Sequence, residues 1–145
     1  MRPINRIILH CSASLAGIDL TGQDILRMHT NPISQGGRGW KNPGYHYVIC
    51  LNGKVDQILP ETRIANGVKG YNADSVHVCY IGGLNKQGKP ANTLTAKQRA
   101  SIAALLHDLR TRYPTATLHG HNEFAAKACP CFRVKDEFPE LFIIH

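Results

Sequence analysis

The apolar positions change their spacing several times along the chain, and each change predicts an element. Arg6 to Cys11 (RIILHC) runs Ile7, Ile8 and Leu9 together and places His10 near the end, the pattern of a short buried strand. From Leu20 to His29 the spacing turns helical. Thr21 with Asp24 three residues on suits an N-cap, and Asn31-Pro32 stops the helix. The stretch NPISQGGRGWKNPG, residues 31–44, is rich in glycine and proline and predicts a loop long enough to rim a site.

Tyr45 to Leu51 (YHYVICL) is aromatic and β-branched, which predicts a strand. Asn52-Gly53 predicts a type I′ hairpin turn, with Lys54 to Leu59 returning as its partner. Ser75 to Ile81 (SVHVCYI) reads as a further strand closed by Gly82-Gly83, and residues 84–93 as a polar loop. The clearest helix follows. Thr95 and Gln98 make a capping box, Ile102, Leu105, Leu106 and Leu109 share one stripe, and the helix ends before Pro114. Thr115 to His121 (TATLHGH) reads as a last strand that delivers His121. Strands alternating with helices, with no repeat or linker between them, predict one α/β layer domain over residues 1–145.

Composition narrows the class. Hydrophobic residues at 43% and charged residues at 19% describe a globular protein, and no apolar run approaches the roughly 18 residues of a membrane span. Ile7-Ile8-Leu9 is too short for the core of a signal peptide, so the chain is expected to start at Met1 and to be made in the cytoplasm. The formal charge of +7 favours anionic partners. The basic residues are scattered from Arg2 to Lys135, however, with no basic helix, aromatic platform or nucleic-acid motif, so no nucleic-acid partner is expected. Five cysteines cannot all pair, and Cys50 and Cys79 lie in apolar runs that predict buried free thiols in a reducing compartment.

Chemistry concentrates near the C-terminal end of the pattern. HNEFAAKACPCF, residues 121–132, brings one histidine, one lysine and two cysteines together. Catalytic zinc sites use three ligands drawn from His, Cys and carboxylate, and His10, His121 and Cys129 are candidates, from two strand ends and a loop. On pattern alone His119 competes with His121, and spacing does not decide between Cys129 and Cys131. His29, His107 and His145 have no companions and are read as ordinary.

Four motifs in order remove the ambiguity: HCSAS at 10–14, GWKNPGYHYVI at 39–49, KGYNADSVHVCYIGG at 69–83 and GHNEFAAKACPCF at 120–132. Together they resemble the type 2 zinc-dependent N-acetylmuramoyl-L-alanine amidases, the family of the small phage lysozymes with amidase activity and the peptidoglycan recognition proteins. The resemblance implies a mixed central sheet with helices on both sides and a groove over one zinc ion held by His10, His121 and Cys129. It makes Tyr45 the catalytic tyrosine and Lys127 the catalytic lysine, and assigns Cys131 no bond to metal. Glu123 reads equally as a residue orienting His121 from behind and as a surface carboxylate. Phage-type relatives often carry a histidine just before the KGYN motif, where this chain has Gly67.

The implied substrate is peptidoglycan or a muropeptide, and the implied reaction is hydrolysis of the amide between the lactyl group and L-alanine by a monomer. The setting is either an endolysin reaching the cell wall through a helper or a cytoplasmic enzyme recycling muropeptides. A non-catalytic peptidoglycan-binding module is the competing class, and a metal-binding cysteine at 129 argues against it.

Overall fold

A computed structural model describes residues 2–142; the expected start at Met1 and the reading of His145 fall outside them. The elements are β1 (Arg6–Cys11), β2 (Ser14–Leu15), α1 (Gly22–Thr30), β3 (Tyr47–Ile49), β4 (Val55–Gln57), β5 (Ser75–Tyr80), β6 (Gly83–Leu84), α2 (Ala96–Arg112), β7 (Thr117–Gly120) and α3 (Val134–Glu137). Five strands form one sheet in the order β4-β3-β5-β1-β7, parallel except for β4, while β2 and β6 pair separately. This is the mixed sheet that the motifs implied.

Alternation along the central strands divides the sheet into two faces. Ile7, Leu9 and Cys11 of β1, with Val76, Val78 and Tyr80 of β5, pack in one core with Ile102, Leu106 and Leu109 of α2 and with Val134 of α3. On the other face Val48 joins Ile25 of α1 and Ile81 in a smaller cluster. Helices therefore cover both faces. On the α1 side of β1 and β5 lie Ile8, His10, His77 and Cys79, and all four are buried.

Local chemistry explains the helix starts. The hydroxyl of Thr21 accepts from Asp24 N–H while the Asp24 carboxylate accepts from Thr21 N–H, and Thr95 and Gln98 repeat the arrangement at α2. Each box satisfies two backbone groups that a helix start leaves unpaired. Gln98 does more: its buried amide donates to the carbonyl of Ile81 at 2.9 Å, tying α2 to the end of β5. Among the described residues no helix is long and apolar enough to cross a membrane.

The hairpin departs from the predicted turn. Ile49 pairs with Val55, leaving residues 50–54 outside the ladder. Gly53 N–H donates to Cys50 C=O and Cys50 N–H to Lys54 C=O. Gly53 alone takes positive φ, at 88°, whereas a type I′ turn needs it at both central residues. Asn52 instead turns its amide oxygen onto Lys54 N–H at 2.9 Å, a side-chain bond that substitutes for the left-handed conformation. β3 is also shorter than predicted, and Tyr45 lies just before it.

Candidate metal centre

The register of two parallel pairs positions the first two donors. Leu9 of β1 lies opposite Gly120 of β7, so His10 and His121 follow at the same, C-terminal end of adjacent strands. Carboxyl ends of parallel strands are where open α/β sheets hold ligands. Past Gly120 the chain turns into a short 3₁₀ segment, His121–Glu123, and a loop returns Cys129 beside β1. Asn122 N–H donates to the Cys129 carbonyl at 2.8 Å and fastens the loop. The ligand atoms of His10, His121 and Cys129 lie within 4.8 Å of one another.

Burial and hydrogen bonds differentiate the donors. His10 is 1% exposed, and burial followed by the charges of His77, His121 and Lys127 hold its imidazole well below the ordinary range. His121 is half-buried, and burial and then the Lys127 charge lower it. Both imidazoles are thus neutral near pH 7, the form that can ligate a metal. Cys129 Sγ accepts from Cys11 N–H at 3.2 Å.

Cys131 has a different environment. Its Sγ lies 3.1 Å from the Gly83 carbonyl and 3.8 Å from Cys11 Sγ, and burial and then Cys11 push its thiol up to about 12. It is not in the three-donor group. The expected Cys50 and Cys79 thiols are free and buried.

Tyr45 stands against the centre, its ring centroid 5.0 Å from that of His10. Burial, then the nearby thiols of Cys79, Cys129 and Cys11, raise its phenol well above the ordinary range, so it remains an O–H donor at neutral pH. Lys127 is exposed in the loop two residues before Cys129.

Two sequence expectations change. His29 is not without companions: Gly44 N–H donates to its Nδ1 at 2.9 Å, and its ring lies 4.9 Å from Trp40 and 5.3 Å from Tyr45. It sits one turn after the buried Ile25, a spacing that turns it toward the sheet, where it backs Tyr45. Glu123 does not orient His121. Its carboxylate takes His119 Nδ1 at 2.8 Å and Gly120 N–H at 2.7 Å, because the 3₁₀ turn folds it back over β7. His119, with Thr117 on its other nitrogen, stays outside the three-donor group.

One buried residue escaped the sequence reading. His77 of β5 is fully buried, and its Nδ1 lies 2.8 Å from Nε2 of His10. The signal was a histidine inside the apolar strand SVHVCYI, on the same face as Cys79. At Gly67, just before the KGYN motif, an added Cβ would stand 2.4 Å from His77 Nδ1.

This is a parallel-sheet scaffold with a His-His-Cys donor set at its carboxyl edge, backed by a tyrosine, and comparison with known proteins assigns it. A family model described as N-acetylmuramoyl-L-alanine amidase matches residues 1–132, and the chain belongs to that family. It is 35% identical over 128 residues to the endolysin of Enterobacteria phage K11, covering 88% of this chain and 81% of the relative. Its fold is similar to that of the endolysin from Thermus scotoductus bacteriophage Ph2119, with TM-score 0.77 and 26% identity over 97% of this chain and 86% of the other. It is similar also to the N-acetylmuramoyl-L-alanine amidase LysC from Clostridium intestinale, with TM-score 0.79 and 25% identity over 99% and 88%. Membership supports a hydrolase acting on peptidoglycan.

Proposed function

We propose that the chain is a zinc-dependent N-acetylmuramoyl-L-alanine amidase that hydrolyses the lactyl–L-alanine amide of peptidoglycan, as an endolysin does. The observation that carries the reading is the convergence of His10, His121 and Cys129, within 4.8 Å, beside the partly buried Tyr45 ring. Imidazole and thiolate donors suit zinc and not magnesium or calcium, which take oxygen ligands, and three protein donors leave a fourth position for substrate or water. The surroundings fit as well. One ring nitrogen of His10 is hydrogen-bonded to His77, leaving the other for metal, and the Cys129 sulfur receives an N–H bond from Cys11.

Zinc, when bound, supplies Lewis acidity toward a carbonyl and toward water. The chain's own groups do the rest. Tyr45, kept protonated by burial, orients the attacking water or donates to the scissile carbonyl. Lys127 places a cation at the loop edge, where it meets the negative charge that develops on the carbonyl oxygen. His29 and Trp40 hold the Tyr45 side of the centre, so that the phenol need not be ordered when substrate arrives.

The test is digestion of purified cell wall and of soluble muropeptides in parallel, with mass analysis of the products. Release of stem peptides with free L-alanine amino groups is expected. Cleavage confined to glycosidic bonds, or binding without product from zinc-loaded protein, would overturn the reading. The relative rates on the two substrates separate a wall-lytic enzyme from a recycling one.

A further inference from the structure

We propose that His77 is a positioning residue of the metal centre: its Nδ1 accepts the Nε2–H of His10 and so selects the tautomer that leaves His10 Nδ1 bare for the metal. The inference rests on the zinc reading above. The two nitrogens are 2.8 Å apart, and both rings are buried, at 1% and 0% exposure.

One imidazole must donate and the other accept, and the two arrangements have opposite consequences for metal. With the proton on His77 Nδ1, neutral His10 would carry its own proton on Nδ1. The nitrogen not engaged with His77 would then have no lone pair to give. With the proton on His10 Nε2, His10 Nδ1 keeps its lone pair free for metal, and His77 carries its proton on Nε2. A ligating histidine in metalloproteins characteristically donates its second N–H to an acceptor behind it. Here the acceptor is another imidazole.

The cost of the arrangement is visible. His77 Nε2 is buried without a hydrogen-bond partner among the described residues. An orphaned buried donor costs about 1–3 kcal/mol, and a valine like its neighbours Val76 and Val78 would avoid it. A role on His10 accounts for an imidazole there.

The surroundings are shaped to hold it. A Cβ on Gly67 would stand 2.4 Å from His77 Nδ1 and 2.7 Å from the Gly44 carbonyl, and Gly67 does not take positive φ. The glycine therefore serves close approach to the imidazole and not a turn. Behind His77, its own N–H donates to His46 Nδ1 at 3.0 Å, His46 N–H donates to its carbonyl at 2.9 Å, and the two rings stack with planes 5° apart. Because His46 Nδ1 accepts, its Nε2 donates to the Arg63 carbonyl at 2.8 Å, which anchors the whole row.

The test uses the zinc-loaded full chain. Correlation of ring protons with ring nitrogens should show His10 protonated on Nε2, slowly exchanging, and His77 protonated on Nε2 with a bare Nδ1. A proton on His77 Nδ1 would end the proposal, and this measurement needs no variant. Zinc affinity, by competition with a chromogenic chelator, then compares His77→Leu with His77→Asn, whose amide oxygen can replace the Nδ1 acceptor. Leu should weaken zinc about 10- to 100-fold and expose the His10 ring proton to exchange, and Asn should recover most of that loss. A folded Leu variant with wild-type zinc affinity, or an Asn variant no better than Leu, would overturn the assignment. Failure of the zinc reading itself would appear separately, as a wild-type chain that binds no zinc, while the ring spectrum still reports which imidazole donates.

Discussion

The backbone N–H of Cys11 points at the sulfur of Cys129, 3.2 Å away, although 118 residues separate them. Cys11 closes β1 immediately after His10, so one strand end supplies both a candidate ligand and a donor to another candidate ligand. Cys131, two residues on, turns instead toward the Gly83 carbonyl.

The two thiols should therefore separate cleanly. Cys129→Ser is expected to lose zinc affinity and amidase activity together, since a hydroxyl is a far poorer ligand than a thiolate. Cys131→Ser should retain both. Zinc content and product release measured in parallel decide it, and loss in the Cys131 variant with retention in the Cys129 variant would reverse the ligand assignment.

Removing the metal should abolish hydrolysis and leave most of the fold. The core between the sheet and α2 is built from Ile7, Leu9, Val76, Val78, Ile102, Leu106 and Leu109 without help from an ion, unlike that of a zinc finger. Far-ultraviolet circular dichroism after chelation should be little changed. Elemental analysis should find one zinc per chain before it, and full activity in chelator would contradict the zinc reading.

Tyr45→Phe and Lys127→Ala should each cut turnover by about 10²-fold or more, the scale of acid–base and oxyanion contributions. Zinc content should be unchanged in both. Near-normal turnover in either variant means that the side chain has no role in the chemistry.

A buried carboxylate on the far side of the sheet makes a prediction about acid. Glu61 is 9% exposed and receives Arg112 Nη1 at 2.7 Å and Tyr113 Oη at 2.5 Å, with Tyr47 donating to its other oxygen. Burial opposes its charge, but these bonds from Arg112, Tyr113 and Tyr47 win and hold its carboxyl down at about 2, from an ordinary 4.5. A depressed folded-state value means stability present above pH 4.5 and lost as pH falls toward 2. Glu61→Gln should remove on the order of 2–3 kcal/mol at neutral pH. It should also flatten the acid limb of stability, read as the difference between wild type and variant in denaturant melts. Equal acid limbs would show that the network carries no such weight.

Local rules accounted for much of this protein. Thr21 with Asp24 and Thr95 with Gln98 name their helix starts, because a capping box needs only residues three apart. The apolar run in β1 and the stripe Ile102, Leu106 and Leu109 name buried surfaces, because periodicity reports which face is apolar. The four ordered motifs named the family and His10, Tyr45, His121, Lys127 and Cys129. Tertiary structure alone decided what each face meets. Parallel strands are joined by long crossovers, so β1 finds β5 and β7 as neighbours across about half the chain or more, and no local spacing encodes that register. It is register that sets His77 behind His10, packing of α1 that sets His29 behind Tyr45, and a 3₁₀ turn that diverts Glu123 to His119. Periodicity tells a side chain which way to face, and only the assembled sheet determines which side chain is there to receive it.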